Sequence, residues 1–249
     1  MNRFANKTVL VTGGSSGIGL AAAKAYAAEG ARVLITGRDE LALQQARAEL
    51  GPRALALRND AGNLDDARAL AASLASQEIQ LDAVFINAGV AKFAVFPEVG
   101  ESLWDQTFDT NVKGPYFQIQ ALLPLLKAGA AIVINGSINA RLGMPNSSVY
   151  AASKAALISL AKTLSGELLP RGIRVNVVSP GPVSTPLYGK LGLDAAALEA
   201  TAAGILSQIP LGRFGTPEEV ASTVLHLSAS ESAFIVGTEV IVDGGMSQL

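Results

Sequence analysis

Short apolar runs alternate along the chain with longer stretches in which apolar positions recur at helical spacing. The runs are too short for helices and rich in β-branched residues, so they predict strands; the longer stretches predict helices. Strands are expected at Thr8–Thr12 (TVLVT), Arg32–Thr36 (RVLIT), Ala54–Arg58, Ala83–Asn87 (AVFIN), Ala130–Asn135, Arg174–Val178 (RVNVV) and Glu239–Val242 (EVIV). Helices are expected at Gly17–Glu29, Glu40–Leu50, Leu64–Gln77, Ser102–Leu126, Tyr150–Leu169 and Pro217–Ser228. Strands apolar on both faces, alternating with helices, predict an α/β fold: a doubly wound parallel sheet covered by helices on both faces. No linker, repeat or low-complexity tract interrupts the rhythm, so a single domain over 1–249 is expected. Only Pro180–Gly215 departs from it, rich in Pro and Gly around a short helical piece at Ala195–Ser207. Long loops inside compact domains are commonly lids or binding loops, and a substrate loop is expected at about 182–215.

Composition narrows the function classes. With 249 residues, 49% hydrophobic and 16% charged, the chain predicts a large core, and the low charge predicts some surface buried between subunits. The net charge is -2 and no Lys/Arg block occurs, so nucleic acid has no electrostatic footprint. The opening MNRFANKTVLVTGG enters a strand pattern at once and lacks a signal peptide's apolar core and cleavage site. The apolar run Val175–Gly189 is broken by Pro180, Pro182 and Pro186, so no membrane span is expected, and the protein is expected to be soluble and cytoplasmic. Zero Cys excludes disulfides, thiolate nucleophiles and Cys-based metal sites. The single His226, in VLHLSA, argues against a zinc cluster or a serine-hydrolase triad and is read as structural; no metal is expected. Trp104 and Met144 are read as packing residues, with Met144 able to border a substrate.

Candidate chemistry sits at two places. TGGSSGIG (Thr12–Gly19) follows the first strand and opens the first helix. There Gly13 permits a tight turn, Gly17 lets the backbone approach a pyrophosphate and Gly19 lets the helix pack closely, while the helix N-terminus favours negative charge. The second place is Tyr150 and Lys154, four apart and so one turn from each other on one helix face. A phenol with an ordinary pKa near 10 is a poor base at neutral pH. A neighbouring ammonium favours the phenolate and draws that value down. The bland alternative is a packed Tyr150 ring and a Lys154 that snorkels to solvent.

The glycine spacing Gly-x-x-x-Gly-x-Gly, then Asn87-Ala88-Gly89, Asn111, Ser137, Tyr150-x-x-x-Lys154, Pro180-Gly181, Thr185 and Asp243-Gly244-Gly245, in that order, resembles the short-chain dehydrogenase/reductase family nearly end to end. The resemblance implies a Rossmann-type sheet of about seven strands and a nicotinamide cofactor. It implies a ketone/secondary-alcohol oxidoreductase in which Tyr150 is the general acid/base and Lys154 lowers its pKa and binds the ribose. Ser137 would position the substrate oxygen, and Asn111 would hold Lys154 through a water in a proton relay. Ser137's competing role is a cap, for which Ser147 and Ser148 are better placed.

Cofactor contacts are implied at Gly13, Ser15, Ser16, Gly17, Ile18 and Gly19, at Gly37 and Arg38, and at Asp60 and Ala61. Asn87, Ala88 and Gly89 would support a ribose, and Pro180, Gly181 and Val183 would wrap the nicotinamide, with Thr185 on its carboxamide. At the second strand's end, Gly37 offers room and Arg38 a guanidinium for a 2′-phosphate, so NADP(H) is expected over NAD(H). Asp39, about 20 residues past the glycine turn, could be the NAD-type acid, but is read as a helix N-cap. The expected partners are a small ketone or secondary alcohol and, by resemblance, further copies in a homotetramer. The alternatives are a 3-oxoacyl-type reductase, a catalytically silent dinucleotide sensor, which should lack Tyr150 or Lys154, and a lyase or dehalogenase, which should lack the glycine turn. Met144–Val149 and the loop Leu187–Ser207 are expected to line the pocket without charge for a phosphopantetheine arm.

Overall fold

A computed structural model describes residues 2–185 and 194–249 of the chain. Stretch 186–193, the middle of the expected substrate loop and the Leu187 end of Leu187–Ser207, lies outside the described residues. Seven strands make one sheet: β1 Thr8–Val11, β2 Arg32–Gly37, β3 Leu55–Arg58, β4 Leu81–Ile86, β5 Leu126–Asn135, β6 Arg174–Pro180 and β7 Glu239–Val242. Every pairing is parallel, in the order β3-β2-β1-β4-β5-β6-β7. The chain winds outward from β1 in one direction and from β4 in the other. That reversal opens a crevice beyond their carboxyl ends, where ligands of such sheets bind.

Alternation along the central strands feeds two cores. Val9 and Val11 of β1, with Val33, Ile35 and Phe85, pack beneath α1 Gly17–Ala28, α2 Glu40–Leu50 and α8 Pro217–Ser228. Leu10, Leu34, Val84 and Ile132 point to the other face, under α3 Leu64–Ser76, α5 Gly114–Leu122 and α6 Ser148–Leu168. The middle of the sheet has no wet face, which is why its strands read as continuous apolar runs. The remaining helices are α4 Glu101–Phe108 and α7 Ala195–Leu206. No helix among the described residues is long and apolar enough to cross a membrane.

One expected element is wrong in kind. Ser102–Leu126 is not one helix but α4, a π-helical turn at Asp109–Lys113, α5, and a 3-10 turn at Leu123–Leu125, after which β5 begins. A Cβ at Gly114 would stand 1.8 Å from the Ala61 carbonyl oxygen, so α5 is drawn against the loop after β3 as only glycine allows. A π turn takes up the residue that a straight α-helix could not place there, and Pro124 stops the helix. β5 therefore starts at Leu126 rather than Ala130, with a register shift against β4 between Leu81 and Ala83.

Candidate active site

The cleft lies where β1 and β4 part. Gly13 and Gly17 hold φ of 62° and 51°, left-handed conformations that bring the chain sharply from β1 into α1. Gly19 is needed for a different reason: its Cβ would sit 2.2 Å from the Gly13 carbonyl oxygen, so the turn rests on the helix's own first turn. Ser16 occupies the N-cap of α1 without a side-chain bond to it, leaving the first amides of the helix for the cleft. Ser15, Ser16, Gly17 and Ile18 form one wall with Gly13; Gly37, Arg38, Asp60 and Ala61 form another; Asn87, Ala88 and Gly89 lie at the base, and Thr185 closes the edge. Six residues expected at the cofactor do not line this cleft, among them Tyr150 and Lys154, which stand on α6 Ser148–Leu168. Gly19 packs as described, and Pro180 ends β6. A Cβ at Gly181 would lie 2.6 Å from Asp243 Cβ, and Val183 is buried, bridged to Gly215.

The base is braided from residues the sequence did not single out. Thr12 has left β1, and its Oγ1 accepts from the backbone N–H of both Asn87 and Ala88 at 2.9 Å. Asn87 Nδ2 donates to the carbonyls of Thr12 (3.0 Å) and Gly13 (3.3 Å), and Asn135 Nδ2 donates to Asn87 Oδ1 at 3.0 Å. Hydrogen bonds thus tie the glycine turn, the β4 end and the β5 end to one another. Asp39 caps α2, accepting from Ala42 N at 3.0 Å, as expected of an N-cap. Asp60 Oδ1 accepts from Gly62 N at 3.0 Å, and its own N–H donates to Asp66 Oδ2 at 2.7 Å. Asn59, also at this end of the cleft, accepts from Gln118 and keeps a buried Nδ2 without a partner in the chain.

Tyr150 and Lys154 project from the start of α6. Lys154 does not snorkel: it is buried, and Nζ donates to the Asn135 carbonyl at 2.7 Å. With no carboxylate to offset burial, its ammonium is pulled down to about 8. Nζ stands 5.8 Å from the Tyr150 ring centroid. Burial pushes the Tyr150 phenol above its ordinary value, and a bond with Ser137 pulls it partly back. The expected lowering of the phenol by Lys154 is therefore not what the chain alone produces. Desolvation wins, and the ammonium spends its charge on a carbonyl.

Ser137 follows β5, and its Oγ accepts from Asn139 N at 3.2 Å, capping the 3-10 turn Ile138–Ala140. Contrary to expectation, the capping serine is Ser137 itself; Ser147 Oγ donates to the Met144 carbonyl and does not cap α6. Asn111 lies in the π turn, fully buried. Its Oδ1 accepts from Val90 N (2.8 Å), and its Nδ2 donates to Val90 O (2.9 Å) and Ser153 Oγ (3.0 Å). The side chain staples the loop after β4 to α6 and makes no bond to Lys154. A Cβ at Gly89 would come within 3.1 Å of Asn111 Oδ1 and 3.7 Å of Lys154 Nζ, so glycine keeps the space between them open.

Behind the Ser137 turn, Arg141 Nε donates to Glu239 Oε2 at 2.7 Å, and Ser179 Oγ donates to Glu239 Oε1 at 2.6 Å. His226 is exposed on α8, with Nε2 3.3 Å from Ser232 Oγ and no place in the cleft. Trp104, read as a packing residue, stacks on Phe108 with centroids 4.6 Å apart and remains 47% exposed. No group of three or more His, Cys, Asp or Glu that could hold a metal occurs among the described residues.

Comparison with known proteins gives the family and the fold. A family model described as Enoyl-(Acyl carrier protein) reductase matches residues 13–247. The chain is 39% identical over 251 residues to Oxidoreductase asL5 of Sarocladium schorii, covering 100% of this chain and 99% of that one. It is 35% identical over 248 residues to the 3-oxoacyl-[acyl-carrier-protein] reductase of Chlamydia muridarum, covering 97% and 98%. Among solved structures, a short chain dehydrogenase from Burkholderia cenocepacia J2315 in complex with NADP superposes with a TM-score of 0.89 at 35% identity, covering 98% of this chain and 99% of that one. The chain belongs to the short-chain dehydrogenase/reductase family, a family of oxidoreductases, and carries that family's Rossmann-type sheet.

Proposed function

We propose that the chain interconverts a ketone and a secondary alcohol by hydride transfer with a nicotinamide dinucleotide. The observation that carries this reading is that Tyr150 and the buried Lys154, bound to the Asn135 carbonyl, stand one turn apart on α6 with Ser137 at the adjoining β5 end, beside a glycine-lined cleft. The cleft fits a dinucleotide: an uncapped helix N-terminus faces it, and at Gly37 a Cβ would meet Ser15 Oγ at 3.2 Å. Gly13, Ser15, Ser16, Gly17 and Ile18 would hold the pyrophosphate. Asp60 and Ala61 would hold the adenine, Asn87, Ala88 and Gly89 with Lys154 the riboses, and Thr185 the carboxamide. When bound, the nicotinamide supplies or accepts the hydride.

The remaining chemistry belongs to the chain. Ser137 Oγ and Tyr150 Oη converge on the substrate oxygen, and Tyr150 Oη gives its proton to that oxygen as negative charge develops, or takes it in the reverse direction. A phenol held up by burial stays protonated at neutral pH, a weaker acid than a free phenol, so its proton transfer relies on the Lys154 ammonium, one turn away, to stabilise the phenolate as charge develops. Asn111 acts as a positioning residue that fixes Val90 and α6, with the proton path running past Gly89. The NADP-complexed relative and the exposed Arg38 support NADP(H) over NAD(H). Residues at about 182–215 form the substrate loop in this reading. The second reading, a 3-oxoacyl-type reductase, is favoured by the Chlamydia relative. A panel of simple ketones, alcohols and a 3-oxoacyl thioester, followed by nicotinamide absorbance with each cofactor, separates the two. Turnover of the thioester alone selects the second, and turnover of none contradicts both.

A further inference from the structure

The wall beside Tyr150 is aromatic. Phe93 follows the Asn87–Gly89 turn, and its ring meets the Tyr150 ring edge-on, with centroids 5.6 Å apart and planes at 63°. It is no core residue, since 43% of it remains exposed. Ala94 N donates to the Asn146 carbonyl at 3.0 Å, tying this segment to the turn that carries Met144. From the other side, Asn139, which donates its N–H to Ser137 Oγ, also donates through Nδ2 to Met144 Sδ at 3.5 Å. Tyr150 thus has an aromatic ring against it, and Ser137 is linked through Asn139 to the Met144 thioether. Arg141 is paired with Glu239, while Lys92 bonds only the neutral Gln106 side chain and keeps its charge.

We propose that Phe93 is a specificity-determining residue, and that the site takes ketones or secondary alcohols bearing an aryl or other flat unsaturated group on the oxygen-bearing carbon. The inference rests on the reading of Ser137 and Tyr150 as the pair that holds the substrate oxygen. An oxygen within hydrogen-bond reach of both hydroxyls places the first substituent of its carbon against the free part of the Phe93 ring. A flat π-system there gains an offset or edge-on aromatic contact beyond simple burial, and the Met144 sulfur suits the same group.

The test compares acetophenone with cyclohexyl methyl ketone, equal in carbon count but differing in flatness. Affinities are measured by NMR titration of the whole chain with saturating NADP+ present. Phe93→Ala is expected to weaken acetophenone roughly 2- to 12-fold, the range of one aromatic pair, while the cyclohexyl ketone changes far less and Phe93→Tyr keeps both. Equal weakening of the two ketones, or no change in either, overturns the proposal. Unchanged NADP+ affinity reports an intact fold, and Phe93→Leu, which keeps bulk without the ring, reads the same ratio should the alanine variant not fold. Turnover is scored separately. Ketones that bind with the predicted ratio but are never reduced contradict the oxidoreductase reading and leave the role of Phe93 standing.

Discussion

At the scale of single residues, the site is a contest between burial and charge. Lys154 shows this most plainly, because its ammonium is pulled down to about 8 from 10.5 by burial alone. Between those values the unfolded chain binds the proton and the folded chain does not, so stability rises with pH across that window. The full effect is about 3 kcal/mol. Urea midpoints measured from pH 8 to about 9.5 should climb in the wild type, and Lys154→Met should flatten the climb. Parallel slopes would show that Lys154 is not the group responsible. At the other end of the cleft, Gly37 is free of φ strain, and the one close atom is a rotatable hydroxyl, Ser15 Oγ at 3.2 Å. Gly37→Asp should therefore fold, place a carboxylate beside Arg38 and repel a 2′-phosphate. The expected result is a fall in kcat/KM for NADPH and a rise for NADH. No shift toward NADH would remove Gly37 from the discriminating role.

At the scale of elements, sequence periodicity found every strand and the core helices, because a sheet buried on both faces writes itself as unbroken apolar runs. The boundaries β2, β4 and β6 moved by a residue or two, and β7 not at all. What periodicity could not show was the break in Ser102–Leu126. The cause is tertiary, the closeness of Gly114 to the Ala61 carbonyl, and that contact leaves no mark on spacing. The same holds at the site. Gly13, Tyr150 and Lys154 were legible because their chemistry demands those residue types. Thr12 and Asn135 were not, since a buried Thr or Asn at a strand end looks like any other until its partners are seen. The Ser137 cap was missed because its partner is an amide two residues on. Gly114→Ala tests the element: an added Cβ must push α5 away from Ala61, at a cost of at least about 2 kcal/mol in unfolding free energy. The displaced π turn should also loosen Asn111 and lower kcat. Wild-type stability in this variant would mean that the close approach does not set the break.

At the scale of the whole molecule, apolar surface remains uncovered among the described residues. One part is a groove between the π turn with α5 and α6, lined by Phe108, Val112, Tyr116, Phe117 and Leu160. Phe234 and Leu249, at opposite ends of β7, are each almost fully exposed. If such surfaces are closed by two different two-fold axes, four copies assemble. Light scattering at micromolar concentration should report a tetramer; a monomer would contradict this account of the exposed aromatics. The central claim, however, is that the fold brings Tyr150 to a substrate oxygen as its proton donor. Tyr150→Phe keeps the ring, its packing on Phe93 and the cleft, and deletes one oxygen. Turnover of a ketone that the wild type reduces, measured alongside cofactor affinity, should fall roughly 10²–10⁴-fold while the affinity stays near the wild-type value. Near-normal turnover at neutral pH would contradict the assignment.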